Sequence, residues 1–193
     1  MGDVFMLYLA GHGDIIEGDY HFIPWEMRYT SPEALKTGSI SRSQFQECLK
    51  EIKAQKSMII IDTCHAGGFS TNETGAFAMR GMEEKSAIRR FKHFTGRAIF
   101  AAAAKDQKAP EGYKNHGVFT YALLEAMTEK ADIFGNNNGF ISVDEVVKYV
   151  TERVAEISEK EWQISQYPYS DLSGSPYFDI GCRKGYDQPG CQP

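Results

Sequence analysis

The residues of this 193-residue chain best suited to chemistry are a histidine and a cysteine, each set among glycines. His12 stands in Ala10-Gly11-His12-Gly13, and Cys64 in Ile61-Asp62-Thr63-Cys64-His65-Ala66-Gly67-Gly68; both segments follow directly on apolar runs. A thiol of ordinary pKa, about 8.5, is only slightly ionised at neutral pH, so a nucleophilic cysteine gains from an imidazole that takes its proton. His12 is the candidate for that imidazole. Gly13 can bring a backbone N–H close to a reacting carbonyl, and with the N–H of Cys64 it would form an oxyanion hole. Gly67 and Gly68 let the chain turn away beneath a substrate. Taken singly, a cysteine at a strand end is ordinarily a small buried hydrophobe, and a histidine between glycines an ordinary loop residue. His65 adjoins Cys64, but neighbours on an extended segment point to opposite sides, which favours His12 as the base. His21, His93 and His116 show no partner pattern and read as surface or loop residues.

The elements that must position this pair are legible as hydrophobic patterns. Val4 to Ala10 is continuously apolar and stopped by Gly11 and Gly13, as in a strand buried on both faces. Met58 to Ile61 is a second such strand, and Arg97 to Ala102 a third whose alanines also suit a helix. Asp14 to Ile23 alternates about a glycine turn and predicts a hairpin off the main sheet, closed by Pro24. Ser41 with Gln44 forms a capping box that opens a helix running toward Lys56. Val118 to Lys130 predicts another helix, and the box of Ser142 with Glu145 opens a further one with Val146, Val147, Val150, Val154 and Ile157 inward. Tyr177 to Ile180, after Pro176, predicts a late edge strand. Phe69 to Gly96, ending in a charge-dense part, reads as a long loop.

Helices between parallel strands give an α/β fold, a mostly parallel sheet flanked by helices. Such sheets place their sites in the crevice beyond the carboxyl ends of the strands, where His12 and Cys64 both fall. Their separation of 52 residues allows one helical crossover, which makes their strands neighbours. The length fits one domain, expected over residues 1–181, with 182–193 as a tail.

Composition narrows the function. The net charge of −5 lacks the basic field of a general nucleic-acid binder, so no nucleic acid is expected as a partner. The longest apolar runs stop near seven residues, far short of the roughly 18 that a membrane-spanning helix needs, and no membrane partner is expected. The first residues, Met1-Gly2-Asp3, match neither an export nor a myristoylation signal. Cys48, Cys64, Cys182 and Cys191 fit no zinc spacing and are too few for a disulfide scaffold, so a reducing, cytoplasmic setting is expected. Cys182 and Cys191 can pair, but free tail thiols are the expectation.

Tyr8-Leu9-Ala10-Gly11-His12-Gly13 and Ile60 to Gly68 resemble the His and Cys motifs of the caspase-like cysteine peptidases, on the metacaspase and bacterial orthocaspase side of the caspase-hemoglobinase fold. Gly117-Val118-Phe119-Thr120-Tyr121-Ala122-Leu123-Leu124 resembles the helix that follows in that family, and Ile141 to Glu145 the start of the last one. The similarity extends from Val4 to about Ile180. The caspase signature itself has its His about 50 residues before the Cys. The resemblance implies peptide-bond hydrolysis through a thioester, with Cys64 as nucleophile and His12 as base and then acid. Asp62 takes the place of the acidic residue that lines the primary pocket in metacaspases, where the caspase signature has Gln. It implies cleavage after Arg or Lys, held by charge-assisted hydrogen bonds; the alternative is that Asp62 only caps the strand end. Asp106 and Gln107 follow the third strand, where the family has further pocket residues, although the surrounding segment departs from the acidic version.

Family members are often cut after the catalytic Cys, which makes Arg80, Lys85, Arg89 and Arg90 candidate self-processing sites in the 70–96 loop; the alternative is a solvated charge run. Metacaspases can be calcium-activated, and Asn136 to Glu145 mimics the later part of an EF-hand loop, but Phe134 falls at its first ligand position. A turn followed by a capping box is the expectation, with no metal and no cofactor required. The family's sheet normally begins with a strand, a helix and a strand ahead of the His motif, which this chain reaches at once. The expectation is therefore a fragment, a processed product, or a domain completed by a polypeptide supplying those strands. The sequence thus points to a caspase-like thiol endopeptidase acting on proteins or peptides with Arg or Lys at the cleavage site. A non-catalytic caspase-like scaffold and a calcium-binding module are the alternatives.

Overall fold

The continuous apolar runs become strands of one sheet. The computed structural model describes residues 3–17, 19–54, 56–63, 98–102, 113–172 and 177–186. Strand β1 (Val4–Ala10) leads into a hairpin of β2 (His12–Ile16) and β3 (Asp19–Ile23); α1 (Pro32–Gly38), β4 (Ile40–Ser41) and α2 (Arg42–Lys50) then connect to β5 (Lys56–Asp62). Beyond β6 (Ala98–Ala101), helix α3 (Val118–Glu125) continues through a π-helical turn, Ala126–Lys130, into α4 (Ala131–Phe134). Strand β7 (Phe140–Ser142), the long helix α5 (Val143–Trp162), β8 (Tyr169–Asp171) and β9 (Asp179–Cys182) follow.

Among the described residues the main sheet has the order β1-β5-β6-β8, with β1, β5 and β6 parallel and β8 antiparallel to β6. The fold is α/β, a mostly parallel sheet flanked by helices. Strand β5 is buried on both faces because its side chains alternate between two apolar clusters. Met58 and Ile60 join Phe100, Phe119, Val146 and Val150 under α3 and α5, while Ile59 and Ile61 join Leu49 on the side of α2. Strand β1 corrects the expectation of two buried faces: Phe5 and Leu7 pack on the α2 side, but Met6, Tyr8 and Ala10 are exposed. Among the described residues β1 has β5 as its one strand neighbour, so it forms an edge of the sheet.

Local signals fixed the helix starts, and long-range pairing moved several ends. The Ser41 box is formed, with Ser41 N–H donating to Gln44 Oε1 at 2.8 Å and Gln44 N–H to Ser41 Oγ at 3.3 Å. Helix α2 stops at Lys50 rather than running toward Lys56, because Lys56 already pairs with Val4 in the sheet. The helix expected to end at Lys130 continues to Phe134; its π turn spaces Ala126 and Ala131, both fully buried. The late strand also differs. It spans Asp179–Cys182 and pairs with β7 in a separate two-stranded sheet, while the antiparallel edge beside β6 is the three-residue β8.

Packing continues past residue 181. Arg183 N–H donates to Gly139 O at 2.9 Å, and the Tyr186 ring covers Gly139 so closely that a Cβ there would meet it at 2.0 Å, at a φ of +88°. Cys182 is disulfide-bonded, which corrects the expectation of free tail thiols; Cys191 lies outside the described residues, and Cys48 is free and exposed. Among the described residues, no helix is long and apolar enough to cross a membrane.

Phe100 is fully buried at the centre of the larger cluster, with its ring 5.0 Å from that of Phe119. Phe100→Ala should lower the unfolding free energy by about 3–5 kcal/mol in chemical denaturation. A loss below about 1 kcal/mol would show that the sheet and α3 are not packed through this residue.

Candidate active site

The carboxyl ends of β1 and β5 lie side by side. Ala10 is in register with Asp62, Gly11 N–H donates to Asp62 O at 3.1 Å, and Ala102 N–H donates to Ile61 O at 3.0 Å. Three parallel strands therefore end at one level, and two of them, β1 and β5, are neighbours as the spacing of the two motifs predicted. At Gly11 (φ +151°) the chain leaves the sheet; a Cβ there would lie 3.3 Å from the Phe22 ring. The hairpin begins two residues earlier than its alternation suggested, so His12 and Gly13 are strand residues. His12 stands opposite Ile23 and is exposed, and Gly13 stands opposite Phe22 and is buried. At the end of β5, Thr63 is buried and is the last described residue before Cys64. Cys64, Asp106, Arg80, Lys85, Arg89 and Arg90 lie outside the described residues.

Asp62 shares the parity of Met58 and Ile60, so its side chain projects toward α3. There the Thr120 hydroxyl donates to Asp62 Oδ2, and Tyr8 Oη lies 2.6 Å from Thr120 Oγ1. Sequence reading missed both hydroxyls. Tyr8 has the parity of Ala10 on β1, and Thr120 is the third helical residue after Gly117, an N-cap without a side-chain hydrogen bond. That pattern marks where they sit but not whom they meet. His21 corrects its surface assignment: it is buried, with Nδ1 2.8 Å from Ser39 Oγ, whereas His116 is exposed as expected. His93 lies outside the described residues.

Helix α3 is held against α5 by one partly buried carboxylate. Glu125 accepts hydrogen bonds from Arg153 Nε at 2.8 Å, Tyr121 Oη at 3.1 Å and Tyr149 Oη at 3.3 Å. Burial pushes the Glu125 carboxyl up, but the hydrogen bonds from Arg153 and Tyr121 outweigh it, and the group sits below its ordinary value. Burial first, and the charge of Glu125 second, raise the Tyr149 phenol to about 12.

Two carboxylates at the EF-hand-like turn, Glu145 at its end and Asp132 just before it, are engaged by donors of the protein itself. Glu145 accepts from Asn136 N–H at 3.0 Å, Ser142 N–H at 3.1 Å and Ser142 Oγ at 2.7 Å, so it serves as a capping residue. Asp132 is fully buried, accepts from Gly139 N–H at 3.1 Å and pairs with Arg183 Nη1 at 3.2 Å. Two amide protons and the Ser142 hydroxyl engage Glu145 at the last ligand position, and the exposed Phe134 at the first cannot ligate. This donor set does not fit calcium. Among the described residues no group of three or more His, Cys, Asp or Glu side chains is placed to hold a metal.

A family model described as the caspase domain matches residues 1–175. No curated protein matches the chain at a significant level.

The Glu125 cluster fixes the helix that carries Thr120, and its energetics are testable apart from any activity. A folded-state pKa below the unfolded value gives stability that is present above the unfolded pKa and lost as pH falls through the folded one. Glu125→Gln should therefore cost about 1–3 kcal/mol at pH 7, with the difference from wild type narrowing as acid protonates Glu125. A pH-independent difference would contradict the charge-based account.

Proposed function

The chain belongs to the caspase-domain family of cysteine peptidases, and from that premise we propose that it is an endopeptidase that cleaves after Arg or Lys. One observation supports the reading above the others: the register of Ala10 with Asp62 sets the carboxyl ends of β1 and β5 side by side, two residues before His12 and two before Cys64. A nucleophile and its base need this proximity.

In the proposed reaction the imidazole of His12 takes the Cys64 thiol proton, and the thiolate attacks the scissile carbonyl carbon. The carbonyl electrons move onto oxygen, where the N–H groups of Gly13 and Cys64 stabilise the charge. The tetrahedral species collapses by breaking the C–N bond, His12 returns the proton to the leaving amine, and an acyl thioester remains on Cys64. Water, deprotonated by His12, then attacks the thioester, releasing the carboxylate product and the thiol. Asp62 binds the guanidinium or ammonium of the residue on the acyl side, with Asp106 as a further pocket residue. No cofactor takes part. Self-processing in the 70–96 loop at Arg80, Lys85, Arg89 or Arg90 accompanies this specificity.

Peptide reporters ending in Arg or Lys should be cleaved at least about 100-fold faster than those ending in Asp, since an acidic pocket attracts one charge and repels the other. Cys64→Ala and His12→Ala should each lose at least about a thousandfold in kcat. Preferential cleavage after Asp would refute the basic specificity, and an active Cys64→Ala would refute the dyad. Covalent labelling of Cys64 by an Arg-based thiol-reactive inhibitor separates the peptidase from a non-catalytic scaffold, which would leave Cys64 unlabelled.

Mass spectrometry of purified wild type beside Cys64→Ala addresses self-processing. The wild type should show breaks after one or more of the four basic residues, and the variant should stay intact. Identical fragments from both would exclude self-cleavage.

A further inference from the structure

A chain of hydroxyls joins three elements at the level where the parallel strands end. Tyr8 Oη lies 2.6 Å from Thr120 Oγ1, and Thr120 Oγ1 donates to Asp62 Oδ2. The direction of the protons follows from the groups themselves. An ionised carboxylate only accepts, so the single hydroxyl proton of threonine goes to Asp62, and Tyr8 must donate to the threonine oxygen. Hydrogen bonds in such a chain polarise one another. Tyr8 is 112 residues from Thr120, and Asp62 is 58. The contacts therefore exist only once β1, β5 and α3 have assembled.

The carboxylate also faces the first turn of α3. A Cβ on Gly117 would lie 3.9 Å from Asp62 Oδ2, and this N-cap makes no side-chain hydrogen bond of its own. A carboxylate is favourably placed against the partial positive charge of a helix N-terminus. Left to itself, the terminal torsion of an aspartate is broad, and a rotating carboxylate loses entropy when it captures a planar, two-pronged cation. A hydroxyl fixed to one of its oxygens restricts that freedom before the ligand arrives.

We propose that Thr120, supported by Tyr8, is a positioning residue for substrate specificity: it fixes the carboxylate of Asp62 so that it can receive the basic side chain of the substrate. This inference rests on the peptidase reading, in which Asp62 touches that side chain and Thr120 acts only through it. A merely structural hydroxyl chain would change stability without separating binding from turnover. A positioning one changes the apparent affinity for the basic residue.

The test measures kcat and KM for wild type, Thr120→Val, Thr120→Ser and Tyr8→Phe on Arg-ending and Lys-ending reporters, with thermal unfolding of each protein alongside. Thr120→Val should raise KM for the Arg reporter by about 10-fold while kcat stays within about 2-fold, because a hydrogen bond to a charged group is lost. Thr120→Ser keeps the hydroxyl and should restore KM to within about 2-fold of wild type. Tyr8→Phe removes a hydroxyl one step further from Asp62 and should raise KM about 3-fold. A folded Thr120→Val with wild-type KM, or one that loses kcat alone, overturns the proposal. Should Thr120→Val fail to fold, Tyr8→Phe decides, and an unchanged KM in that folded variant overturns it equally. A wild type that cleaves no reporter and leaves Cys64 unlabelled by the Arg-based inhibitor overturns the peptidase reading and this inference together. A wild type active on Arg with KM indifferent to both substitutions overturns this inference alone.

Discussion

The parallel register of β1 on β5 is the constraint from which the rest of the site descends. Ala10 faces Asp62, and the amide of Gly11 closes the pair by donating to the Asp62 carbonyl. Side chains in a strand alternate between faces, so a slip of one residue would send Asp62 to the side of α2 and its neighbours to the side of α3. Such a slip is opposed by the burial of β5. Met58 and Ile60 are bound into the cluster under α3 and α5, and Ile59 and Ile61 into the cluster with Leu49. The apolar run thus does more than form a strand: with both faces occupied, it dictates which way the one carboxylate at its end must point.

That carboxylate meets a hydroxyl because α3 is fixed independently. Phe119 and Ala122 are buried against the sheet, and Glu125 ties the other flank of the helix to Arg153 and Tyr149 of α5. A helix held at both places cannot rotate to move Thr120 away from Asp62 without exposing Phe119 or stripping Glu125 of its donors. The π turn that follows belongs to the same economy, since it keeps Ala126 and Ala131 both fully buried.

What the sequence made legible is what depends on neighbours along the chain. The apolar runs Val4 to Ala10 and Met58 to Ile61 and the boxes at Ser41 and Ser142 carry their instructions within a few residues. The motifs around His12 and Cys64 belong to this class, and their spacing implied adjacent strands. Features that failed to show are those decided by distant partners. Strand β8 is three residues long and exists because β6 offers an edge; β9 abandons the main sheet because β7 receives it. His21, one histidine among several in the sequence, is buried with a partner, Ser39, that lies 18 residues away. Thr120 and Tyr8 read as an unremarkable helix residue and an unremarkable strand residue until the fold is known.

His12 illustrates how far the support of a site residue extends. It belongs to the hairpin sheet, whereas β5, the strand that precedes Cys64 in the sequence, belongs to the main sheet. The placement of His12 beside the end of β5 depends on what ties the hairpin to the sheet. Phe22 sits opposite Gly13, lies against Gly11, packs against the cluster of Leu49, Ile59, Ile61 and Ala101, and meets the Phe45 ring of α2 edge-on at 6.3 Å. One aromatic side chain thus connects the pivot at Gly11, the core of the sheet and the helix behind it. Gly11 is glycine because the backbone there is at φ +151° with the ring of Phe22 pressed close. A phenylalanine and a glycine with no part in the chemistry therefore fix where the imidazole stands. The position of His12 depends as much on the packing of α2 as on the motif in which it is written.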